Sequence, residues 1–374
     1  MQKMPQRNAT TKGTVVYLEH HSKVLSDNPL GDPSERQLPV YLPPGFNRGG
    51  RSRGRPAKTP VLFDLAGFTG SGLAHLNWKN FEENLIEKLD RLIGAGKMPP
   101  VIAAFPDCFT KLGGNQYINS SAIGRYADYL TLELIPFLDE AFSLTTDRTR
   151  RGCFGKSSGG YGALVHGMQY TDYWAGVACH SGDAYFDFVY RSEWPSTLTH
   201  LQQYASAKRT SGRYKTTQAK TSGHDDGRVR AFLAHLEKMP PWSEQHYSGR
   251  DITTLMMLAM AASYDPDPDA PNGFCLPFDL ETGAFLADRW RRWLRHDPIN
   301  MVPRYKKSLA RLKAIFIDCG WNDQYHIHFG ARQLAAVLQD NGIAHRYEEF
   351  PGTHSGIDYR FDVSLPYLAK RLAR

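Results

Sequence analysis

Long hydrophobic runs are missing from this chain. No apolar stretch approaches the roughly 18 residues that a membrane span requires, and the opening segment, Met1 to Thr14, is polar and lacks the apolar centre of a secretory signal. These absences predict a cytoplasmic protein without a membrane span. Cysteine is scarce too. Cys108, Cys153, Cys179, Cys275 and Cys319 are scattered, odd in number and include no C-x-x-C pair, which speaks against both a disulfide framework and a zinc site. No metal and no cofactor is expected. The formal charge of +7 raises nucleic acid as a partner, but much of it sits in Arg48, Arg51, Arg53, Arg55 and Lys58, within one Gly-rich stretch. Such a stretch reads as a solvated loop. It supplies charge without a fold for reading bases, so no nucleic-acid partner is expected.

What is present suits a large core: 374 residues with 41% hydrophobic and 12% aromatic side chains. Val15 to Val24 and Arg36 to Leu42 read as an opening hairpin around a turn-rich linker. Pro60 to Ala66 is an apolar strand running into the glycine loop Gly67 to Gly72, followed by a helical period over Leu73 to Ile93. Further strands are expected at Val101 to Phe105, Arg151 to Phe154, Trp174 to Cys179, Ala314 to Ile317 and His345 to Phe350. Helices are expected at Tyr126 to Phe142, Tyr161 to Met168, Phe329 to Leu338 and Leu365 to Leu372. Strands alternating with helices predict an α/β fold, a doubly wound and mostly parallel sheet with an N-terminal antiparallel hairpin at its edge. The core then spans residues 1–183 and 312–374. Residues 184–311 are too many for one crossover and read as an inserted cap, in which Trp242, Trp290 and Trp293 are either core or a wall for a bulky group. The acidic run Asp265, Asp267, Asp269 is interrupted by prolines and reads as a plain loop, not a calcium site.

The chemistry centres on Gly155-Lys156-Ser157-Ser158-Gly159, which reads G-x-S-x-G between a strand and a helix. A serine at such a turn needs glycine two residues before and two after it, so that strand and helix can pass closely. Ser157 has both, and Ser158, with Lys156 before it, does not. In isolation the pentapeptide reads equally as a turn without chemistry. A nucleophilic serine also needs an imidazole to take its proton and a carboxylate to hold the imidazole, here in the order serine, acid, histidine. Asp318 and Asp323 follow the strand near Ile317, and Asp323, farther out on the loop, is the better placed. Of His326, His328, His345 and His354, only His354 lies on a loop directly after the last strand. His326 and His328 have no third partner at metal-ligand spacing. Two backbone N–H groups should face the oxyanion: Ser158, after the nucleophile, and Phe68, on the loop where Gly67 also lies. Asp183 and Trp321, at strand ends, are expected to line the substrate site.

With these residues in place, the chain resembles the "Putative esterase" family of α/β-hydrolases, the group holding esterase D (S-formylglutathione hydrolase), enterochelin esterases, feruloyl esterases and mycolyltransferases. The likeness rests on Tyr41 to Gly45, Pro106 and Asp107, Gly114 to Tyr117, Glu133 to Pro136, Gly155 to Gly160, Gly320 to Asp323 and Pro351 to His354. It implies an α/β-hydrolase fold and a serine carboxylesterase acting on a small-molecule ester, with Ser157 as nucleophile, Asp323 as acid and His354 as base. Where the family usually has His before Gly67, this chain has Ala66, and its long insertion is unlike the short esterase D members, so their thioester substrate is not carried over. Acyl transfer of the mycolyltransferase type and a binding protein without turnover stay open as alternatives, and nothing in the sequence excludes a homodimer.

Overall fold

Strands buried at every position must be covered on both faces. Val61–Leu65, Gly176–His180 and Ala314–Gly320 are buried at every position, and the sheet they form is a layer between two helical layers. The computed structural model describes residues 12–46, 59–144, 147–205, 223–239 and 247–374. Among these, eight strands make one sheet: β1 (Thr14–His21), β2 (Glu35–Leu42), β3 (Val61–Leu65), β4 (Ile102–Ala104), β5 (Arg151–Lys156), β6 (Gly176–His180), β7 (Ala314–Gly320) and β8 (Arg346–Phe350). Their spatial order is β1-β2-β4-β3-β5-β6-β7-β8. β2 is antiparallel to both β1 and β4, and the remaining pairs are parallel. The antiparallel hairpin therefore lies at one edge, as the sequence suggests.

Alternation along the strands sorts two cores. Leu62, Phe154, Ala178 and Phe316 face one side, where helix α1 (Leu85–Gly94) and the C-terminal helix Phe361–Leu372 cover them with Leu89, Leu92, Leu365 and Leu368. Phe63, Cys153, Val177 and Ile315 face the other, under the helix Ser158–Gln169 and helices from the segment between β6 and β7. Each large apolar side chain so buried contributes roughly 1.5–3 kcal/mol. All five cysteines are buried and none forms a disulfide. No helix among the described residues is long and apolar enough to cross a membrane.

Two helices differ from the periodicity reading. The stretch Leu73 to Ile93 is not one helix: a short 3₁₀ turn occupies Gly72–Leu76, and α1 begins only at Leu85. Asn84 sets that start, because its side chain accepts from the Glu87 N–H at 2.9 Å while Glu87 accepts from the Asn84 N–H at 3.2 Å, a reciprocal cap. The helical run that begins at Tyr126 passes through a π-helical stretch, Tyr129–Leu134, before resuming at Ile135–Ala141. Pro136, which has no N–H to give and whose ring crowds the preceding turn, explains the widening.

Between β6 and β7 the described residues form the helices Trp194–Leu201, Arg228–Glu237, Gly249–Tyr264 and Ala287–Leu294, with shorter turns. Trp290 and Trp293 are buried, and Trp293 packs on Tyr190, Trp194 and Tyr264. They are core side chains. Trp242 and the basic stretch Arg48 to Lys58 lie outside the described residues.

Candidate active site

The turn after β5 is defined by close approach. Ser157 stands at φ 57°, ψ −127°, a backbone conformation costing on the order of 1–3 kcal/mol, and the helix begins at the next residue. A Cβ on Gly155 would lie 2.3 Å from the Leu65 carbonyl oxygen, and one on Gly159 would lie 1.8 Å from the same atom. Only glycine fits at either position. The Ser157 N–H donates to the His180 carbonyl at 3.0 Å, pinning the turn to the end of β6, and the Ser157 side chain stays half-buried. Ser158 is buried and its N–H belongs to the first turn of a helix, where N–H groups lack intrahelical acceptors. Gly67, after β3, lies against the turn: a Cβ there would come 3.6 Å from the Ser157 Cβ. The Phe68 ring packs on Gly113 and Gly114.

The loops after β7 and β8 are tied together. Asn322 N–H donates to the Gly352 carbonyl at 3.0 Å, Trp321 N–H to Phe350 at 3.1 Å, and a Cβ on Gly320 would lie 2.4 Å from the Gly352 oxygen. This contact sets Asp323 Oδ2 2.8 Å from His354 Nδ1, with both side chains nearly buried. The other Asp323 oxygen accepts from the Tyr325 N–H at 2.9 Å, and the Tyr325 ring stands edge-on to the His354 ring at 4.9 Å. Burial works to raise the Asp323 pKa, but the His354 hydrogen bond and charge, with the N–H groups of Tyr325 and Ile327, outweigh it and hold the carboxyl below its ordinary value. No hydrogen bond joins Ser157 Oγ to His354. Such bonds are often long in free enzymes and tighten around substrate.

Asp318, the other acid on this strand end, faces the opposite layer. Its Oδ1 lies 2.6 Å from His180 Nδ1 and its Oδ2 accepts from Arg360 Nε at 2.8 Å, while His180 Nε2 lies 2.8 Å from Ser364 Oγ. Serine, histidine and aspartate thus meet a second time, but all three are at most 1% exposed, sealed under the C-terminal helix. They brace the core. His326 stands at the start of the helix Ile327–Asp340, and His328 packs on Phe329.

At the end of β6, Asp183 is buried and accepts from the Tyr190 hydroxyl at 2.6 Å. Burial pushes its carboxyl up to about 6; Tyr190, His354 and Gln116 pull it back in part, and the Asp323 charge adds to the rise. Gln116 Nε2 lies 3.1 Å from Ser158 Oγ, 3.5 Å from Asp183 and 2.6 Å from Met260 Sδ. Met260 belongs to the helix Gly249–Tyr264, so the long segment after β6 reaches the neighbour of the Ser157 turn. Sequence reasoning gave Gln116 and Tyr190 no role in the site. Gln116 was visible only as part of Gly114 to Tyr117, and nothing in spacing ties either residue to Asp183. Trp321 is exposed at the rim, beside the Asp323 loop.

Comparison with known proteins agrees with this architecture. The family model described as "Putative esterase" matches residues 33–366. Among solved structures, a ferulic acid esterase aligns with a TM-score of 0.55 at 16% identity, covering 96% of this chain and 99% of its own. An S-formylglutathione hydrolase from Agrobacterium tumefaciens aligns with a TM-score of 0.53 at 17% identity, covering 98% of each chain. A fluorophosphonate-binding serine hydrolase of Staphylococcus aureus, FphF, gives 0.54 at 14%, covering 97% of this chain and 99% of its own. At these identities the structures speak for the fold, an α/β-hydrolase, and the family match, which takes in most of the chain, carries the rest: the protein belongs to this esterase family and is a carboxylic ester hydrolase.

Proposed function

We propose that the protein hydrolyses a carboxylic ester through an acyl-enzyme, with Ser157, His354 and Asp323 as its triad. His354 Nε2 takes the Ser157 proton as Oγ attacks the ester carbonyl, then hands it to the leaving alcohol. A water enters and attacks the acyl-enzyme as His354 takes its proton; the tetrahedral intermediate then expels Ser157 Oγ, to which His354 returns the proton, freeing the acid. Asp323 fixes the tautomer through Nδ1 and stabilises the imidazolium. The N–H groups of Ser158 and Phe68 hold the oxyanion, each worth a few kcal/mol in such sites. Gly67, Asp183 and Trp321 contact the substrate, and residues 184–311 act as a cap that shapes it. Buried free thiols fit a reducing, cytoplasmic setting.

One observation carries this reading. A serine held at φ 57° between two glycines that admit no Cβ is followed, on the loops of later strands, by a histidine bonded at 2.8 Å to a buried aspartate. Purified protein should turn over p-nitrophenyl acetate or butyrate. Ser157→Ala should lower kcat by at least about 10³-fold with the fold retained. Undiminished turnover in that variant overturns the assignment.

A further inference from the structure

The segment between β6 and β7 holds a second group of chemistry-bearing side chains that ester hydrolysis does not use. Its backbone folds 265–275 into a tight antiparallel loop. Asp267 N–H donates to the Gly273 carbonyl at 2.7 Å, Cys275 N–H donates to the Asp265 carbonyl at 3.0 Å, and Pro266 pairs with Phe274. Cys275 Sγ thereby lies 3.3 Å from Asp267 Oδ2. A third strand of chain is laid alongside: Leu276 N–H donates to the Gly223 carbonyl at 2.7 Å, and Gly223, at φ +66°, sits where a Cβ would be 2.3 Å from the Leu276 oxygen. That contact brings in His224. One ring nitrogen of His224, a carboxylate oxygen of Asp267 and the Cys275 sulfur all lie within 4.8 Å of one another, the one such trio among the described residues.

We propose that His224, Asp267 and Cys275 form a binding site for a zinc-class divalent cation, with water as the fourth ligand. The donor set is one that borderline-soft ions take, whereas calcium and magnesium prefer oxygen alone. The spacing fits as well. In a tetrahedron with Zn–S about 2.3 Å and Zn–O about 2.0 Å, sulfur and oxygen stand about 3.5 Å apart, close to the separation observed here. The imidazole nitrogen, within 4.8 Å of both, completes the trio. The ion binds the thiolate, so the thiol proton leaves to solvent as the metal–sulfur bond forms. Arg289 Nη2 lies 3.4 Å from Asp267 Oδ2, but Arg289 also contacts both oxygens of Asp265, which can hold it when the ion takes Asp267. The ion would clip His224 to a loop far along the chain. The sequence pattern hides this site, because the ligands come from distant segments with no recognisable spacing.

Cobalt(II) titration of metal-stripped, full-length protein tests it. The expected result is a thiolate-to-cobalt charge-transfer absorption in the near ultraviolet with strong four-coordinate visible bands, complete at about one equivalent and displaced by zinc. Cys275→Ser should abolish the charge-transfer absorption. His224→Ala, at a position outside the buried core, should weaken binding at least about tenfold, with far-ultraviolet circular dichroism unchanged, which keeps the test decisive where Cys275→Ser does not fold. Absent charge transfer, an unchanged titration in His224→Ala, or weak six-coordinate bands of the kind His326 and His328 would give, each overturns the proposal. Esterase turnover is read separately, so the two assignments fail independently.

Discussion

Two carboxylates leave the end of β7, and packing assigns them different work. Asp318 lies in the layer under the C-terminal helix with Arg360 and His180; Asp323 lies on the loop with His354. Substitution should separate them. Asp318→Asn removes one partner of a buried pair and should cost about 3–5 kcal/mol of stability while leaving kcat within a few-fold in the protein that folds. Asp323→Asn should cost less stability than Asp318→Asn but lower kcat by about 10²–10⁴-fold. Thermal unfolding and steady-state kinetics on both variants read this, and the account fails at this scale if the two effects exchange places. Asp183 makes a pH prediction. Its carboxyl, at about 6 in the folded protein, binds its proton more tightly than in the unfolded chain. Its favourable contribution is thus full at low pH and lost as pH rises through about 6, a difference on the order of 3 kcal/mol. Asp183→Asn should gain melting temperature relative to the parent between pH about 4 and about 7. A difference that stays flat with pH contradicts it. Asp323 has the opposite sign: its stabilisation is present above the ordinary carboxylate value and fades as pH falls through its lower folded value.

At the scale of elements, the site depends on places where two backbones touch. Gly159→Ala would drive a methyl into the Leu65 carbonyl, and Gly320→Ala would drive one into the Gly352 carbonyl. Neither obstacle is a side chain that can swing away. We expect Gly159→Ala to lose soluble folded protein, and Gly320→Ala, if it folds, to lose activity by parting the Asp323 and His354 loops. Soluble yield, circular dichroism and kcat check both. Much of this was legible beforehand: the glycines that flank Ser157 and the edge hairpin follow from local residue types, and the proposed order of serine, acid and histidine is read from the same strand ends. The helix boundary at Leu85 was legible too, in Asn84 and Glu87, but the apolar period of Leu73 to Ile93 masked it. What no local pattern contains is the meeting of Gln116, Asp183, Tyr190 and Met260, which only the packing of distant elements brings about. The direction in which Asp318 points also had to come from the pleat.

For the whole molecule, described residues of the segment after β6 share the main apolar core with the sheet. Leu258, Trp293 and Phe186 belong to the same apolar cluster as Phe63 and Val177 of the sheet, and Tyr161 of the elbow helix gives its hydroxyl to the His296 carbonyl at 3.0 Å. Calorimetry should therefore show one cooperative transition. Two resolved transitions would mean that the segment folds on its own. The same continuity brings Met260 of the long segment against Gln116, beside the Ser157 turn.

The central claim is that Ser157, and not its neighbour Ser158, is the nucleophile. Reaction with a fluorophosphonate followed by peptide mass spectrometry tests it most directly. The account predicts a stoichiometric adduct on Ser157, retained in Ser158→Ala and absent from Ser157→Ala; an adduct on Ser158, or labelling that survives Ser157→Ala, would contradict it.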